Sequence, residues 1–500
     1  MDPVVTVAGG QVVGITQAGV NAFLGIPYAA PAIGPDRYRA PQPVRPWEGR
    51  RDATRHGPTP AQTPYPAPMD AVLPSSVTPG ADYLNVSVWA PAEGADLPVM
   101  VWLHGGAFVR GANSIATYDG SAFARDGVVM VGVNYRLGAP GFAALDGAPT
   151  NLGLRDQLAA LAWVRDNVAA FGGNPDQVTL FGESAGAMSV ATLMASPAAR
   201  GLFHRAIVQS GGATAVCSLD DARLVSGELA AQLAVPATAE AFGEIDPDDV
   251  LAAQTAVALA MQADPSPGRW GVTTLRGGLG IMSLFPVVDG DVVPEVPQAG
   301  IAGGSAAGMP LLIGTTKEEY RLFLVSTGLI DAVTTEMLPS LAARYGWPAE
   351  AIETYTANRP GASAGDIASA ILTDAAFRVP TTALAAAQHA AGGRVYSYEF
   401  AWPTPVARLG ACHALEIGFV FDTVGQHSAM AGETAPSQLA DDMHRAWVAF
   451  ARDGDPGWTA WTPDHPAVMT FALESAVVTG PRADELALWS GSPHDTGQAH

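Results

Sequence analysis

Lysine is all but missing from this 500-residue chain: Lys317 is the one lysine among 26 basic residues. A Schiff-base mechanism would have to rest on that single side chain. No Gly-Lys pair exists, which excludes a phosphate-cradling P-loop, and no Ser-x-x-Lys exists either. Cysteine is nearly as scarce, and Cys217 and Cys412 cannot build a disulfide framework. No apolar run is long enough to cross a bilayer, and the opening MDPVVTVAGG has neither a basic n-region nor an apolar h-region. Positive charge is short as well. With 26 basic against 48 acidic residues the net charge is −22, a field that repels phosphate backbones and anionic bilayers. Nucleic acid and membrane surfaces are therefore excluded as partners, and the expected location is the cytoplasm. What the chain has in quantity is apolar surface: 48 % hydrophobic residues and a mean hydropathy of +0.17 support a large core and exclude global disorder.

The first 30 residues alternate apolar and polar positions between glycines and read as short antiparallel strands. Residues 56–80 form a Pro-rich surface loop. Beyond it, apolar runs recur at Val86–Trp89, Val99–Leu103, Val128–Val133, Val178–Phe181, Ala206–Val208, Leu311–Ile313 and Val395–Phe400. Several are apolar on both faces, as central strands of a covered sheet should be. Helical periodicity separates them, at Leu154–Val168, Ala187–Ala195 and Met443–Ala451. Alternating strands and helices indicate an α/β protein with a mostly parallel sheet. Residues 220–265 and 320–392 read as mainly helical excursions over it. No linker or internal repeat divides the chain, so 1–490 is expected to be a single domain and 491–500 a flexible tail.

The chemistry candidate is GESAG, Gly182–Gly186. Alone the G-x-S-x-G pattern is weak, since glycine is abundant enough here to supply about a third of a match by chance. A second match, GASAG at Gly361–Gly365, acts as an internal control. A nucleophile elbow needs a strand entering and a helix leaving, because the strained turn is what projects the hydroxyl. VTLF before Ser184 and AMSVATLMA after it meet that requirement. Ser363 follows a loop closed by Pro360, and with Asp366 three residues on it reads as a helix cap.

A serine hydroxyl needs a base to take its proton and an acid to orient the base. On such an elbow both follow the serine, on loops after later strands. That removes His56 and His104. His204, placed in a helix, reads as structural; His389 and His444 fall in helices; His427 has no strand before it; His465, His494 and His500 lie in late loops or the tail. His413, in GACHALEIGFVF after the strand VYSYEF, is left. For the acid, PLLIGTTKEEYRLF carries Glu318 and Glu319 after a strand, where a pair at a helix N-terminus is also favourable without any catalytic role. Asp289, before a glycine, reads as a hairpin residue. Spacing does not separate Glu318 from Glu319. Oxyanion donors are offered by the amide of Ala185 and by HGGAF, His104–Phe108, after the strand VMVWL.

With these residues in view, the chain resembles the type-B carboxylesterases, the cholinesterase-like branch of the α/β-hydrolases, and within it the bacterial para-nitrobenzyl esterase type. The likeness runs from FLGIPYAAP to GWTAW. It is most specific over FGGNPDQVTLFGESAG, with NYRLG, NLGLRDQLAALAWVRDN and FHRAIVQSGG in support. The resemblance implies an α/β-hydrolase fold, a large mostly parallel sheet flanked by helices. It implies Ser184 as nucleophile, His413 as base and, as the second carboxylate of the K-[DE]-E group, Glu319 as acid. Gly106, Ala107 and Ala185 become the oxyanion donors, and no metal or organic cofactor is needed. The chain also departs from the family. Tyr83 stands where secreted members have a disulfide cysteine, which agrees with a reducing compartment. Tyr320 follows Glu319 where glycine is usual and is expected to line the pocket. Ala107 replaces a third glycine, so bulky tertiary-alcohol esters should fit poorly. Residues 60–82 hold no Trp to stack on a quaternary ammonium, so choline recognition is not expected. Gly280 and Met282, where relatives place acyl-pocket residues, suggest a roomy apolar site.

The function expected is therefore a serine carboxylesterase taking small-molecule esters with short-to-medium or aromatic acyl groups, as monomer or homo-oligomer. A serine hydrolase of carbamates or amides uses the same residues. A non-catalytic cholinesterase-like binding protein would typically have lost the nucleophile or base, which this chain retains.

Overall fold

The computed structural model describes residues 2–427 and 429–491. An eleven-stranded sheet organises them. Its early strands are β1 (Ile15–Gln17), β2 (Val20–Pro27), β3 (Asn85–Pro91), β4 (Leu97–Leu103) and β5 (Val129–Val133). The long β6 (Gly173–Glu183) follows, then β7 (Arg205–Gln209), β8 (Leu311–Thr316), β9 (Val395–Phe400), β10 (Ala467–Phe471) and β11 (Ala476–Thr479). In space the order is β11-β10-β9-β8-β7-β6-β4-β5-β3-β2-β1, with every neighbouring pair from β10 to β5 parallel and the flanking pairs antiparallel. This is the α/β-hydrolase fold. The antiparallel strands expected at the N-terminus are present. Among the described residues no helix is long and apolar enough to cross a membrane.

The doubly apolar strands explain the layering. Val99, Val101 and Leu103 of β4, with Leu311 and Ile313 of β8, join one buried cluster; Met100, Trp102 and Leu312 join another on the opposite face. Side chains alternate across a strand, so both faces must be covered. On the first face lie α1 (Leu152–Asn167) and α2 (Ala185–Ala195), through Leu161, Val164 and Val190. Beyond α3 (Arg321–Ser326) and α4 (Ala364–Thr373), α5 (Val379–Ala390) adds Leu384 to that face, and α6 (Ser437–Asp453) covers the other through Met443, Trp447 and Phe450. The mainly helical segments after residue 218 and after residue 320 supply a third cluster, including Val225, Val257 and Ile371. It also takes in Phe108 and Ala185.

Strand order reverses between β4 and β6, since β5 lies on one side of β4 and β6 on the other. At such a switch point the loops leaving the two strands diverge and open a crevice at their carboxyl ends. Here those loops are HGGAF, after Leu103, and the turn at Ser184.

Two local expectations change. His204 lies in a bend just before β7 rather than in a helix, with Val178 N–H donating to its Nδ1 at 3.4 Å. The helix expected to open at Glu318–Glu319 begins only at Arg321. Lys317 N–H donates to Phe400 O and Glu318 N–H to Ala411 O, so cross-strand pairing continues past β8 and delays the helix. Ser363 does cap α4: its Oγ accepts Asp366 N–H at 3.1 Å and its own N–H donates to Asp366 Oδ2 at 3.2 Å. Of the tail 491–500, all but Gly491 lies outside the described residues, as do His494 and His500.

Close backbone approach at the elbow depends on glycine. A Cβ on Gly182 would lie 2.6 Å from Gly186 C and 2.7 Å from Leu103 O, and one on Gly186 would collide with the same Leu103 carbonyl. These are backbone atoms of a central strand and of the helix packed on it, and they cannot yield. Gly186→Ala is expected to destabilise the protein by roughly 1–3 kcal/mol or more, as overpacking does. A urea midpoint equal to that of the unsubstituted protein would show that α2 does not approach β4 as described.

Candidate active site

Ser184 sits between β6 and α2 with φ 55° and ψ −123°, a conformation that L-residues adopt only under constraint. The constraint is visible on both sides. Ser184 N–H donates to Gln209 O of β7 at 2.9 Å, and Ser184 O accepts Met188 N–H at 2.9 Å, which starts the helix. Ser184 is half-buried while its neighbours in the motif are buried, so the strained turn lifts this one side chain toward the crevice. The contrast with Ser363, which has ordinary extended cap geometry, separates the two G-x-S-x-G matches.

The glycine loop after β4 lies directly against this turn. A Cβ on Gly105 would stand 3.2 Å from Ser184 Cβ and 2.7 Å from Glu183 Oε2. Gly106, Ala107 and Phe108 all have positive φ, at 111°, 55° and 60°. The Gly106 carbonyl accepts N–H groups from Val109 and Arg110, which folds the loop back on itself. Ala185 is the first residue of α2, where an N–H has no intrahelical acceptor. Glycine adopts such a conformation at little steric cost, but Ala107 and Phe108 share it and carry its strain.

His413 and Glu319 meet. The imidazole Nδ1 donates to Glu319 Oε2 at 2.6 Å, and both side chains are buried. Thr316 N–H fixes the other carboxylate oxygen at 2.7 Å, and His413 N–H reaches back to Glu319 O at 3.3 Å. Geometry therefore separates the two glutamates that spacing left open. Glu318 turns the other way: Ala411 N–H donates to its Oε2 at 2.9 Å, and Arg321 lies 3.7 Å from its Oε1. Both residues hold the loop that carries His413, but only Glu319 touches the ring.

The second imidazole nitrogen faces a residue the sequence reading passed over. Nε2 lies 3.0 Å from Oε1 of Glu183, the residue just before Ser184, and among the described residues no hydrogen bond involves the Ser184 hydroxyl. A third carboxylate, Glu416, accepts from Gln209 Nε2 at 3.3 Å, and Gln209 in turn accepts from Trp447 Nε1 at 2.9 Å. Three buried glutamates thus surround one imidazole. Burial by itself would lower the His413 pKa, but Glu183 and Glu319 outweigh it and carry it up to about 9. Burial pushes the carboxyls of Glu183 and Glu416 up, while His413 opposes the rise in both. Glu183 and His413 therefore influence each other's titration across a 3.0 Å ion-pair contact. The motif letters GESAG and ALEIGFVF contained both glutamates; their convergence was the missing information.

Met282 and Tyr320 are buried in the same cluster as Ala185 and Phe108, with Ala107 packed against it. The Tyr320 hydroxyl donates to Leu279 O at 3.1 Å, and its ring packs against Phe323 at 5.2 Å. The rings of Phe377 and Phe323 stand 4.7 and 5.4 Å from His413. Cys217 and Cys412 are free and buried in different clusters.

With this geometry stand the likenesses to known proteins. The family model described as "Carboxylesterase family" matches residues 1–489. The chain belongs to the carboxylesterase family. This carboxylesterase is 37 % identical to the para-nitrobenzyl esterase of Bacillus subtilis, over 96 % of this chain and 97 % of that one. It is 31 % identical to a phenmedipham hydrolase of Pseudarthrobacter oxydans, over 95 % and 96 %. The crystal structure of the Geobacillus stearothermophilus carboxylesterase EST55 superposes with a TM-score of 0.84 at 36 % identity, covering 97 % of this chain and 99 % of that one. Family and fold make the chain a carboxylic ester hydrolase.

The carboxylate contacts fix a sign for pH dependence. Glu183 raises the His413 pKa, so Glu183→Gln should lower it, and the acid limb of the kcat/KM profile should move to lower pH. A limb that stays in place or moves upward would remove Glu183 from the titration.

Proposed function

We propose that this carboxylesterase works by two-step acyl transfer, with Ser184 as nucleophile, His413 as general base and acid, and Glu319 as the acid that orients it. The observation that carries the reading is the pairing of a strained, half-buried serine at the strand–helix turn with a buried imidazole held 2.6 Å from a carboxylate on its far nitrogen. With Nδ1–H committed to Glu319, Nε2 is the atom free to exchange a proton. It must turn from Glu183 to the Ser184 hydroxyl as ester enters, a tightening common when substrate completes a site.

Ser184 Oγ then attacks the ester carbonyl while Nε2 takes its proton, and the Glu319 carboxylate stabilises the imidazolium. The N–H groups of Gly106, Ala107 and Ala185 receive the developing oxyanion. His413 returns the proton to the leaving alcohol, and the C–O bond to it breaks. Water, deprotonated by His413, then attacks the acyl-enzyme and releases acid and Ser184.

The wall of Met282, Tyr320, Phe323 and Phe377 supports short-to-medium or aromatic acyl groups. The Ala107 methyl narrows the alcohol side. In this reading residues 1–490 work as one catalytic unit. They act on small-molecule esters, with nucleic acid and membrane surfaces disfavoured by the net charge of −22. Free, buried cysteines and Tyr83 in place of a disulfide cysteine support a cytoplasmic location.

The test is hydrolysis of p-nitrophenyl acetate, butyrate, octanoate and laurate, with Ser184→Ala beside the unsubstituted protein. Turnover should favour the shorter chains, and the variant should lose at least about 10⁴-fold in kcat. Turnover of a carbamate or anilide, with none of the four esters, would transfer the same residues to that bond. Retained ester turnover in Ser184→Ala would remove Ser184 as nucleophile.

A further inference from the structure

Between α4 and α5 the helix is interrupted by one π-helical turn, Asp374–Arg378. Such turns carry an inserted residue at a cost and are concentrated at functional sites. This one reaches the candidate acid and base together. Arg378 is buried, and its Nη2 donates to Lys317 O at 2.9 Å and lies 3.4 Å from Thr316 O. Thr373, the residue before the turn, accepts Tyr320 N–H on its Oγ1 at 3.0 Å. The turn carrying Glu319, residues 316–320, is therefore gripped at both ends, by a guanidinium at 316–317 and by a hydroxyl at 320. Between those grips the ring of Phe377 lies 4.7 Å from that of His413, tilted by 42°.

The guanidinium is itself held. Asp374 pairs with it from one turn earlier, and Glu399 of β9 lies 3.5 Å away while also pairing with Arg482. Tyr355, Glu319, Arg359 and Glu485 complete the charged and titratable groups around it. Of these only Glu319 contacts His413, whose other carboxylate neighbours are Glu183 and Glu416.

We propose that Arg378 is a positioning residue for the ester hydrolysis: its guanidinium, with Thr373, fixes the 316–320 turn so that Glu319 stays aligned on His413 Nδ1. The inference rests on the reading of Glu319 and His413 as acid and base. Misplacing the acid by a fraction of an ångström leaves substrate binding alone and penalises the proton transfer.

The experiment compares Arg378→Ala, Thr373→Val and Glu319→Gln on p-nitrophenyl butyrate. Arg378→Ala should lose about 10- to 100-fold in kcat with KM held within about twofold, the pattern of disturbed alignment. Because Glu319 helps to raise the His413 pKa, all three variants should move the acid limb of the pH profile to lower pH. A purely structural role would lower the melting temperature without moving that limb. Removing the side chain enlarges an existing cavity of about 330 Å³ lined by Arg378, Thr315, Glu399 and Arg482. Millimolar guanidinium ion should therefore restore part of kcat in Arg378→Ala, with no such gain in Glu319→Gln.

If Arg378→Ala fails to fold, Thr373→Val carries the test from the other end of the turn. An unmoved limb and unchanged kcat there would overturn the proposal. So would Arg378→Ala with full kcat, or a kcat loss with no shift of the limb. Full activity in Glu319→Gln would instead overturn the assignment of the acid, and so distinguishes the two failures.

Discussion

The Leu103 carbonyl lies against the backbone of Gly182 and Gly186, and that contact decides where everything else in the site can go. It draws the start of α2 onto the end of β4, leaving Ser184 no conformation but one with positive φ. Strain of this kind costs of order 1–3 kcal/mol and persists only where surrounding structure over-determines it. Here the determinants are the parallel pairing of β6 with both β4 and β7 and the hydrogen bonds at either side of the serine. The same approach seats Gly105 on Ser184, so the proposed nucleophile and oxyanion loop are placed by one packing event. The switch in strand order then leaves the crevice open above them.

A second constraint acts on charge. Three carboxylates and one imidazole share a region with almost no water access, and a buried charge without a partner is costly. The arrangement meets that cost by distribution. Glu319 has an amide and the imidazole Nδ1 on its two oxygens, Glu416 is tied through Gln209 to Trp447, and Glu183 lies 3.0 Å from the remaining imidazole nitrogen as its counter-charge. A ring held between two carboxylates is oriented before substrate arrives. In the proposed mechanism the residue that completes the electrostatics of the resting site is also the one the serine displaces.

What the sequence made legible follows from how local each signal is. Strands apolar on both faces and helices of 3.6-residue period are local, and they foretold the central sheet and its covering layers. The two G-x-S-x-G matches could be told apart because an elbow and a capping box have different flanks. Glu318 and Glu319 could not, because adjacent residues have the same spacing to everything. What separates them is a pairing between Glu318 and Ala411, 93 positions apart, visible only in the fold. The delayed start of α3 has the same origin: long-range backbone pairing at Lys317 and Glu318 overrode the helix-opening look of two glutamates. Glu183 and Arg378 carry no local signal for the acid–base pair, because their partners lie more than 60 residues away.

The grip on the acid's turn also shows why arginine stands at 378 in a chain that contains one lysine. An ammonium buried at this depth, beside a second cation at Arg482, would tend to lose its proton and with it the charge. A guanidinium stays ionised and offers a planar fork. Its Nη2 meets two successive carbonyls, Thr316 and Lys317, while Nη1 faces Asp374 and the carboxylates of Asp374 and Glu399 balance its charge. The π-helical turn supplies the remaining need. An uninterrupted α-helix would carry Phe377 and Arg378 about 100° apart at a fixed offset from Thr373. The wider turn changes that offset, letting Thr373, Phe377 and Arg378 converge on one short loop and one imidazole. The irregularity in the helix and the regularity demanded of the proton transfer thus belong to the same piece of geometry.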